Sequence, residues 1–187
     1  ALCTILGLSA LTRAYNRVWH DPVTLYTHVL VWEPTSAKMA NNLGMAYVDE
    51  GKVSEAIVLY RRAIALSDEY PQTHHNLGQA YLSLGDHARA LDEFRRAVAM
   101  NPAFYQSWIQ IGALRLAQHH LPAAAEAFQQ AIRAYPYATS AYLGLAQIHL
   151  AQGHPQAAQS VIASGLQVQP DNPTLRQSLE ALQAPAP

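Results

Sequence analysis

The stretch NNLGMAYVDEGKVSEA at residues 41–56 returns, with changes, as HNLGQAYLSLGDHARA at residues 75–90. Both copies contain Asn-Leu-Gly, a tyrosine three residues later, and a glycine and an alanine at matching places. The two copies lie 34 residues apart along the chain. A fixed shift of this size is typical of repeat architectures.

The same period continues toward the C-terminus, where Ile111-Gly112 and Leu145-Ala146 take the places of Leu-Gly. Further positions in this register carry Ala56, Ala90, Ala124 and Ala158; then Tyr60, Phe94, Phe128 and Ile162; then Ala63, Ala97, Ala131 and Gly165. Within each unit the apolar residues recur at helical spacing, which predicts two amphipathic helices per unit. Small residues, Gly44 and Gly78 on the first helix and Ala56 and Ala90 on the second, indicate where the two helices approach each other most closely.

Glycine and proline separate the predicted helices. Gly51, Gly85 and Gly153 fall between the two helices of a unit, where a tight turn favours positive φ. The third unit has His119 at this place, and we interpret its turn as tolerant of sequence. Prolines at residues 102, 136 and 170 close three units, because proline cannot continue a helix.

These spaced residues resemble the tetratricopeptide-repeat (TPR) family, whose 34-residue pattern has Leu-Gly, an aromatic, Ala, an aromatic and Pro at these offsets. The resemblance implies an all-α fold, a right-handed TPR solenoid of antiparallel helix pairs. It also implies a binding scaffold in place of an enzyme. The expected divisions are an N-terminal half repeat at 13–36, four full repeats at 37–70, 71–104, 105–138 and 139–172 (together 37–172), a capping helix at 173–183 and a tail at 184–187.

The segment at residues 1–12 is apolar and uncharged. It is too short to cross a bilayer, which takes about 20 residues. Two interpretations remain open: the end of a transmembrane helix, or a core helix that caps the first repeat. Residues 13–36 resemble the junction between the last membrane helix and the C-terminal TPR array of polytopic glycosyltransferases of the O-mannosyltransferase type. That resemblance favours membrane attachment outside the cytoplasm, whereas Arg13 and Arg17 favour the cytoplasmic side.

Composition excludes several classes of function. The formal net charge is −1 and charged residues make up 13% of the chain, so no basic face for nucleic acid is expected. The low charge suggests that a partner covers part of the surface. One cysteine, Cys3, rules out an internal disulfide framework. We find no motif for catalysis or for a cofactor.

Nine histidines raise the question of a metal site. The adjacent pairs His74-His75 and His119-His120 lack the i, i+4 spacing with which one helix holds an ion. We therefore interpret the histidines as surface or packing residues and predict no metal.

The resemblance places the partner-binding surface on the first helix of each unit, at positions 2, 5, 6, 9, 12 and 13. The predicted groove residues are Lys38, Asn41, Asn42, Met45, Asp49, His75, Asn76, Gln79, Ile109, Gln110, Leu143 and Gln147. Their amides can donate to and accept from a peptide backbone, and Asn42 and Asn76 match a position that the family uses in this way. The alternative is that these amides bond within the helix stack. The family's clamp for chaperone carboxylates needs several Lys or Arg residues, and with only Lys38 here that partner class is rejected.

Three functions remain as hypotheses: a scaffold that binds a peptide or a protein surface, an accessory domain of a membrane glycosyltransferase-like protein, and a structural subunit that self-assembles into a filament or coat. Exposed aromatic residues, among them Tyr105, Trp108, Tyr135 and Tyr137, are the reason for keeping the third.

Overall fold

The computed structural model describes residues 21–183, and this range contains ten α-helices and no β-strand. The helices are α1 Pro22–Trp32, α2 Ala37–Asp49, α3 Val53–Leu66, α4 Pro71–Ser83, α5 His87–Met100, α6 Tyr105–Ala117, α7 Leu121–Ala134, α8 Thr139–Ala151, α9 Pro155–Val168 and α10 Pro173–Gln183. The predicted all-α class is confirmed. Helices α2, α4, α6 and α8 begin at residues 37, 71, 105 and 139.

The chain divides into two compact units, Ala1–Asp86 and His87–Pro187. Within the described range, the first unit contains α1–α4 and the second contains α5–α10.

Local signals at the helix ends explain where α1 and α2 of the first unit begin. The Asp21 carboxylate accepts the backbone N–H of Thr24 at 3.0 Å, and Ser36 Oγ accepts that of Met39 at 3.4 Å. These side chains satisfy backbone donors that have no partner inside the helix. Pro22 and Pro71 occupy the first turns of α1 and α4, where a missing N–H costs nothing.

Small residues in the core of the first unit let α2 and α3 approach closely. A Cβ atom placed on Gly44 of α2 would lie 2.7 Å from Cε1 of Tyr60 on α3, so the aromatic ring occupies the space of the missing side chain. Ala40 of α2 and Ala63 of α3 belong to one cluster of buried residues. The periodic Gly and Ala positions are therefore contact positions between helices.

The loop between α3 and α4 contains Asp68 where later repeats have proline. Asp68 Oδ1 lies 2.6 Å from Nε2 of His74 on α4, whose side chain is buried. This contact ties the loop to the helix that follows it.

In the second unit, α7 packs between α6 and α8, and Phe128 of α7 is buried at that junction. Its ring lies where a Cβ on either Gly112 or Gly144 would come within 2.7 Å or less. At the C-terminal end, α10 inserts the fully buried Leu175 against Tyr142 and Gly165. Polar residues such as Arg176 and Glu180 face solvent on α10, as a capping helix requires.

The turns within the helix pairs share one backbone conformation. Gly51, Gly85 and Gly153 have φ of 77°, 77° and 75°, and His119 has φ of 58° in the same left-handed region. The turn at His119 therefore keeps the left-handed conformation of the other three turns, and a side chain is accommodated in it at a steric cost.

Several predictions fall outside the described residues. The apolar segment at 1–12, with its membrane or core-helix alternatives, residues 13–20 of the half repeat, and the tail at 184–187 lie there and stay predictions. Between residues 21 and 183, no helix combines the length and the hydrophobicity that crossing a membrane takes.

Candidate binding grooves

The first unit contains a pocket of about 250 Å³ between α2 and α4. Its lining consists of Met45, Val48, Asp49, Tyr60, Asn76, Gln79, Ala80 and Ser83. Four of the predicted groove residues are therefore brought together here, two from each first helix: Met45, Asp49, Asn76 and Gln79. The floor is formed by the Tyr60 ring, which reaches the pocket from α3 because Gly44 leaves room for it.

The amides predicted to grip a peptide form hydrogen bonds with one another. Asn76 Nδ2 donates to Asn41 Oδ1 at 3.0 Å, and this bond joins α4 to α2. Gln72 Nε2 donates to Asn76 Oδ1 at 2.8 Å, while Asn41 Nδ2 donates to Asn42 Oδ1 at 3.3 Å. This network supports the alternative reading that the amides bond within the stack. Asn76 still lines the pocket and keeps one N–H in addition to the one that Asn41 accepts.

Burial separates the predicted residues of the first unit into two groups. Asn41 is 9% exposed and His75 is 8% exposed, so a partner would meet little of either side chain. Burial also lowers the pKa of His75 to about 4, which keeps its imidazole neutral at pH 7. Lys38 is exposed and Asn42 is half-buried, and neither lines this pocket.

Asp49 gives the pocket of the first unit its charge. It is the last residue of α2, it is exposed, and it is the only ionisable carboxylate in the lining. Burial, and after it the negative charge of Asp49, raises the pKa of Tyr60 to about 12. The Tyr60 hydroxyl therefore stays protonated at neutral pH.

The second unit contains a larger pocket of about 620 Å³ between α6 and α8. Its lining consists of Ile109, Ala113, Leu116, Ala117, His119, Leu121, Phe128, Ser140, Leu143, Gly144, Gln147 and Ala151. Ile109, Leu143 and Gln147 are the predicted groove residues among these, whereas Gln110 does not line it. The lining contains no carboxylate and no Lys or Arg, so this pocket suits an apolar group.

Gly144 leaves the space in which the Phe128 ring lines this pocket. Position 6 carries an amide in the first three repeats, at Asn42, Asn76 and Gln110, but a glycine in the fourth repeat, at residue 144. A Cβ on Gly144 would lie 2.4 Å from Cζ of Phe128, so the aromatic ring forms the floor in its place.

A second depression in this unit, of about 280 Å³, lies between α8 and α10. Leu143 and Gln147 line it as well, together with Leu150 of α8 and Leu182 of α10. Leu143 and Gln147 therefore line both pockets of the second unit.

Aromatic residues form a cluster at one end of α6 and in the loop between α7 and α8. The rings of Tyr105 and Tyr135 stack with centroids 4.5 Å apart, and Tyr137 follows at 5.7 Å from Tyr135. Tyr135 and Tyr137 are 40% and 55% exposed. Trp108 is half-buried, and its indole N–H donates to the Pro102 carbonyl at 2.9 Å. We call Tyr105, Tyr135 and Tyr137 the tyrosine cluster.

No group of three or more His, Cys, Asp or Glu side chains able to hold a metal ion occurs among residues 21–183. The described histidines have other surroundings: His74 contacts Asp68, and His120 Nδ1 lies 3.4 Å from a guanidinium nitrogen of Arg115.

The pocket floors were missed by the sequence analysis. In the repeat pattern Tyr60 and Phe128 are conspicuous only as apolar positions on second helices, whereas the family pattern assigns the binding surface to first helices. The signal that could have shown the larger pocket is the change from an amide to glycine at position 6 of the fourth repeat.

Sequence comparison identifies the family. Three family models match: "TPR repeat" over residues 44–85, and two "Tetratricopeptide repeat" models over residues 75–138 and 115–182. The matches overlap and together extend from residue 44 to residue 182, well over half of the chain. No curated protein matches this sequence.

Solved structures with the same fold include that of MamA, at 22% identity and a TM-score of 0.71, covering 78% of this chain and 85% of that one. YrrB, described as a TPR protein with an unusual peptide-binding site, has 18% identity and a TM-score of 0.68 over 93% of this chain and 89% of its own. The first TPR of Spaghetti (RPAP3), solved with the HSP90 peptide SRMEEVD, has 26% identity and a TM-score of 0.60 over 63% and 94%. The chain therefore belongs to the tetratricopeptide-repeat family.

Proposed function

We propose that this chain is a protein-interaction scaffold that holds a peptide segment of its partner in the pockets between successive first helices. Members of this family are generally scaffolds and not enzymes. The observation that carries the proposal is the location of the two pockets: one lies between α2 and α4 of the first unit, the other between α6 and α8 of the second.

The lining of the second-unit pocket indicates how it would bind. Leu116, Leu121 and Leu143 surround the Phe128 ring, while Gln147 offers an amide at the edge. An aliphatic side chain of the partner would lose water contact in such a pocket, and the amide could bond its backbone. Fully burying one Leu-sized side chain is worth about 1.5–3 kcal/mol, roughly a ten- to hundredfold gain in affinity.

Similar structures support peptide binding as the activity. YrrB is described by its peptide-binding site, and the Spaghetti repeat was solved with a bound peptide. The groove of this chain carries only Lys38 as a cationic residue among its predicted positions, so it does not suit an acidic chaperone peptide of the SRMEEVD kind.

The test begins with a random peptide library displayed on phage and selected against the whole chain. Selected peptides are synthesised, and their dissociation constants are measured for the wild type, Gln79→Arg in the first pocket and Gln147→Arg in the second. The matched control is Gln129→Arg, which places the same charge at an exposed glutamine of α7 outside both pockets.

We expect the affinity of each selected peptide to fall at least about tenfold in one of the two pocket variants, Gln79→Arg or Gln147→Arg. Its affinity for the control variant Gln129→Arg should differ from that for the wild type by less than about twofold. All three variants should keep the melting temperature of the wild type, because the replaced glutamines are exposed. Selected peptides that bind all three variants as tightly as the wild type would refute the proposal.

A second candidate is self-assembly through the tyrosine cluster. Tyr135 and Tyr137 lie side by side and are exposed, and tyrosine is enriched in protein–protein interfaces. Sedimentation velocity distinguishes this function, because a concentration-dependent increase in mass that Tyr137→Ser abolishes would support it.

A further inference from the structure

We propose that the pocket of the first unit selects a basic residue, Lys or Arg, in the bound peptide segment; this inference rests on the proposed function. The shape and the charge of the pocket support the inference. It extends the proposed function by naming the chemical class of the side chain that occupies this pocket.

The charge of this pocket is negative and has no counter-ion among its lining residues. Asp49 stands at its edge, and the remaining lining residues are neutral. Within residues 21–86, Asp49 makes no hydrogen bond and no ion pair, whereas the neighbouring Glu50 is paired with Lys52 at 2.7 Å. The Lys52 ammonium is also held 5.5 Å from the centroid of the Tyr47 ring.

The ends of two helices add to this negative potential. Asp49 is the last residue of α2 and Ser83 is the last residue of α4, and both line the pocket. The C-terminal end of a helix carries a partial negative charge, so two such ends beside a carboxylate favour a cation. The described part of the unit has excess negative charge as well, with carboxylates at residues 21, 33, 49, 50, 55, 68, 69 and 86 against cations at residues 38, 52, 61 and 62.

The apolar part of the pocket fits the stem of a long basic side chain. Met45 and Val48 are exposed beside Asp49, and the Tyr60 ring lies beneath them. Lys and Arg bury their methylene stems along apolar surface while the charged head stays at a polar group. Asn76 and Gln79 lie across the pocket on α4, within the same lining.

The equivalent positions in the other repeats carry no charge. Position 13 is Asp49 in the repeat at 37–70, but it is Ser83, Ala117 and Ala151 in the three repeats that follow. Ala117 and Ala151 line the second-unit pocket at the equivalent place, and that pocket has no carboxylate. A partner that fits both pockets would therefore present a basic residue to the first and an apolar one to the second.

The experiment uses four immobilised pools of blocked nonapeptides with the central residue fixed as Arg, Lys, citrulline or Glu and the flanking residues randomised. Citrulline has the shape of Arg without its charge. Binding of the whole chain to each pool is measured for the wild type, for Asp49→Asn, and for the control Glu55→Gln, which removes one charge from an exposed residue of α3 outside the pocket. Gln79→Arg, which places a cation in the pocket, reports whether the bound peptides use it at all.

We expect the wild type to bind the Arg and Lys pools roughly fivefold better than the citrulline pool, as an exposed ion pair allows. The preference should disappear in Asp49→Asn, persist in Glu55→Gln, and shrink as salt shortens the screening length below about 10 Å.

Equal binding of the Arg and citrulline pools, or a preference that survives in Asp49→Asn, overturns the inference while peptide binding itself stands. Failure of every pool to bind, or binding that Gln79→Arg leaves unchanged, removes the proposed role of the pocket and the inference with it.

Discussion

Gly144 allows a quantitative test of how the second unit is packed. In Gly144→Ala, the new Cβ would lie 2.4, 2.5 and 2.7 Å from three atoms of the Phe128 ring. The ring cannot retreat, because a Cβ on Gly112 would already lie 2.7 Å from it on the other side, so the α6 backbone stands close behind. The ring is held between two helices.

The expected effect has two opposing parts. Overpacking of a core contact costs about 1–3 kcal/mol, and we take the upper end because the ring has no free space. Replacing a glycine inside a helix by alanine returns about 1 kcal/mol of helix propensity. The net loss is about 2 kcal/mol, which for a chain of this size lowers the melting temperature by roughly 4–8 °C.

Thermal unfolding of the whole chain, followed by circular dichroism, measures this loss. Ser140→Ala serves as the control, since Ser140 is an exposed residue of the same helix and should change stability by less than about 0.5 kcal/mol. The double variant Gly144→Ala with Phe128→Leu should lose less than the sum of the single losses, since a smaller side chain relieves the clash. A melting temperature unchanged by Gly144→Ala would refute the packing described here.

Two further predictions concern the first unit. Asn76→Ala should lower the free energy of unfolding in urea by about 1–2 kcal/mol, because it leaves the amide oxygen of the buried Asn41 without its bond; a variant as stable as the wild type would show that the bond contributes nothing. Burial lowers the pKa of His75 to about 4, whereas a histidine in the unfolded chain titrates near 6.5. The stability that the folded protein gains with a neutral His75 is therefore fully present above pH 6.5 and is lost as the pH falls toward 4. The loss reaches about 3 kcal/mol, and His75→Gln should reduce the decline in stability between pH 7 and pH 4 by that amount. Parallel declines in wild type and variant would contradict it.

The sequence alone was sufficient for the helical class and for the helix-to-helix contacts. Gly44 was predicted as a close-contact position from its place in the 34-residue period, and the Tyr60 ring of the neighbouring helix lies against it. Such a prediction works because helix packing in a repeat protein is local. Each repeat contacts mainly the repeats before and after it, so side chains of the same size recur at the same positions. The left-handed turns at Gly51 and Gly153 were predictable for the same reason.

The candidate site was only partly predictable. The positions that face a partner follow from the family pattern, and Asp49, Gln79 and Gln147 do line pockets. Whether an amide at such a position is available depends on its neighbours. Asn76 is bonded to Asn41, which lies 35 residues away in the chain, and this pairing is not visible in the repeat pattern of either residue.

What the sequence determined, then, is the order and spacing of the helices and the size of the residue at each contact, because these depend on periodicities of 3.6 and 34 residues within the chain. What only the tertiary structure decided is which residues line each pocket and what charge the pocket carries. A glycine at residue 144 has an effect because the Phe128 ring from another helix fills its space, and Asp49 gives a pocket its charge because the helix ends beside it carry no compensating cation. Both depend on distances between side chains of different helices, which no periodicity specifies.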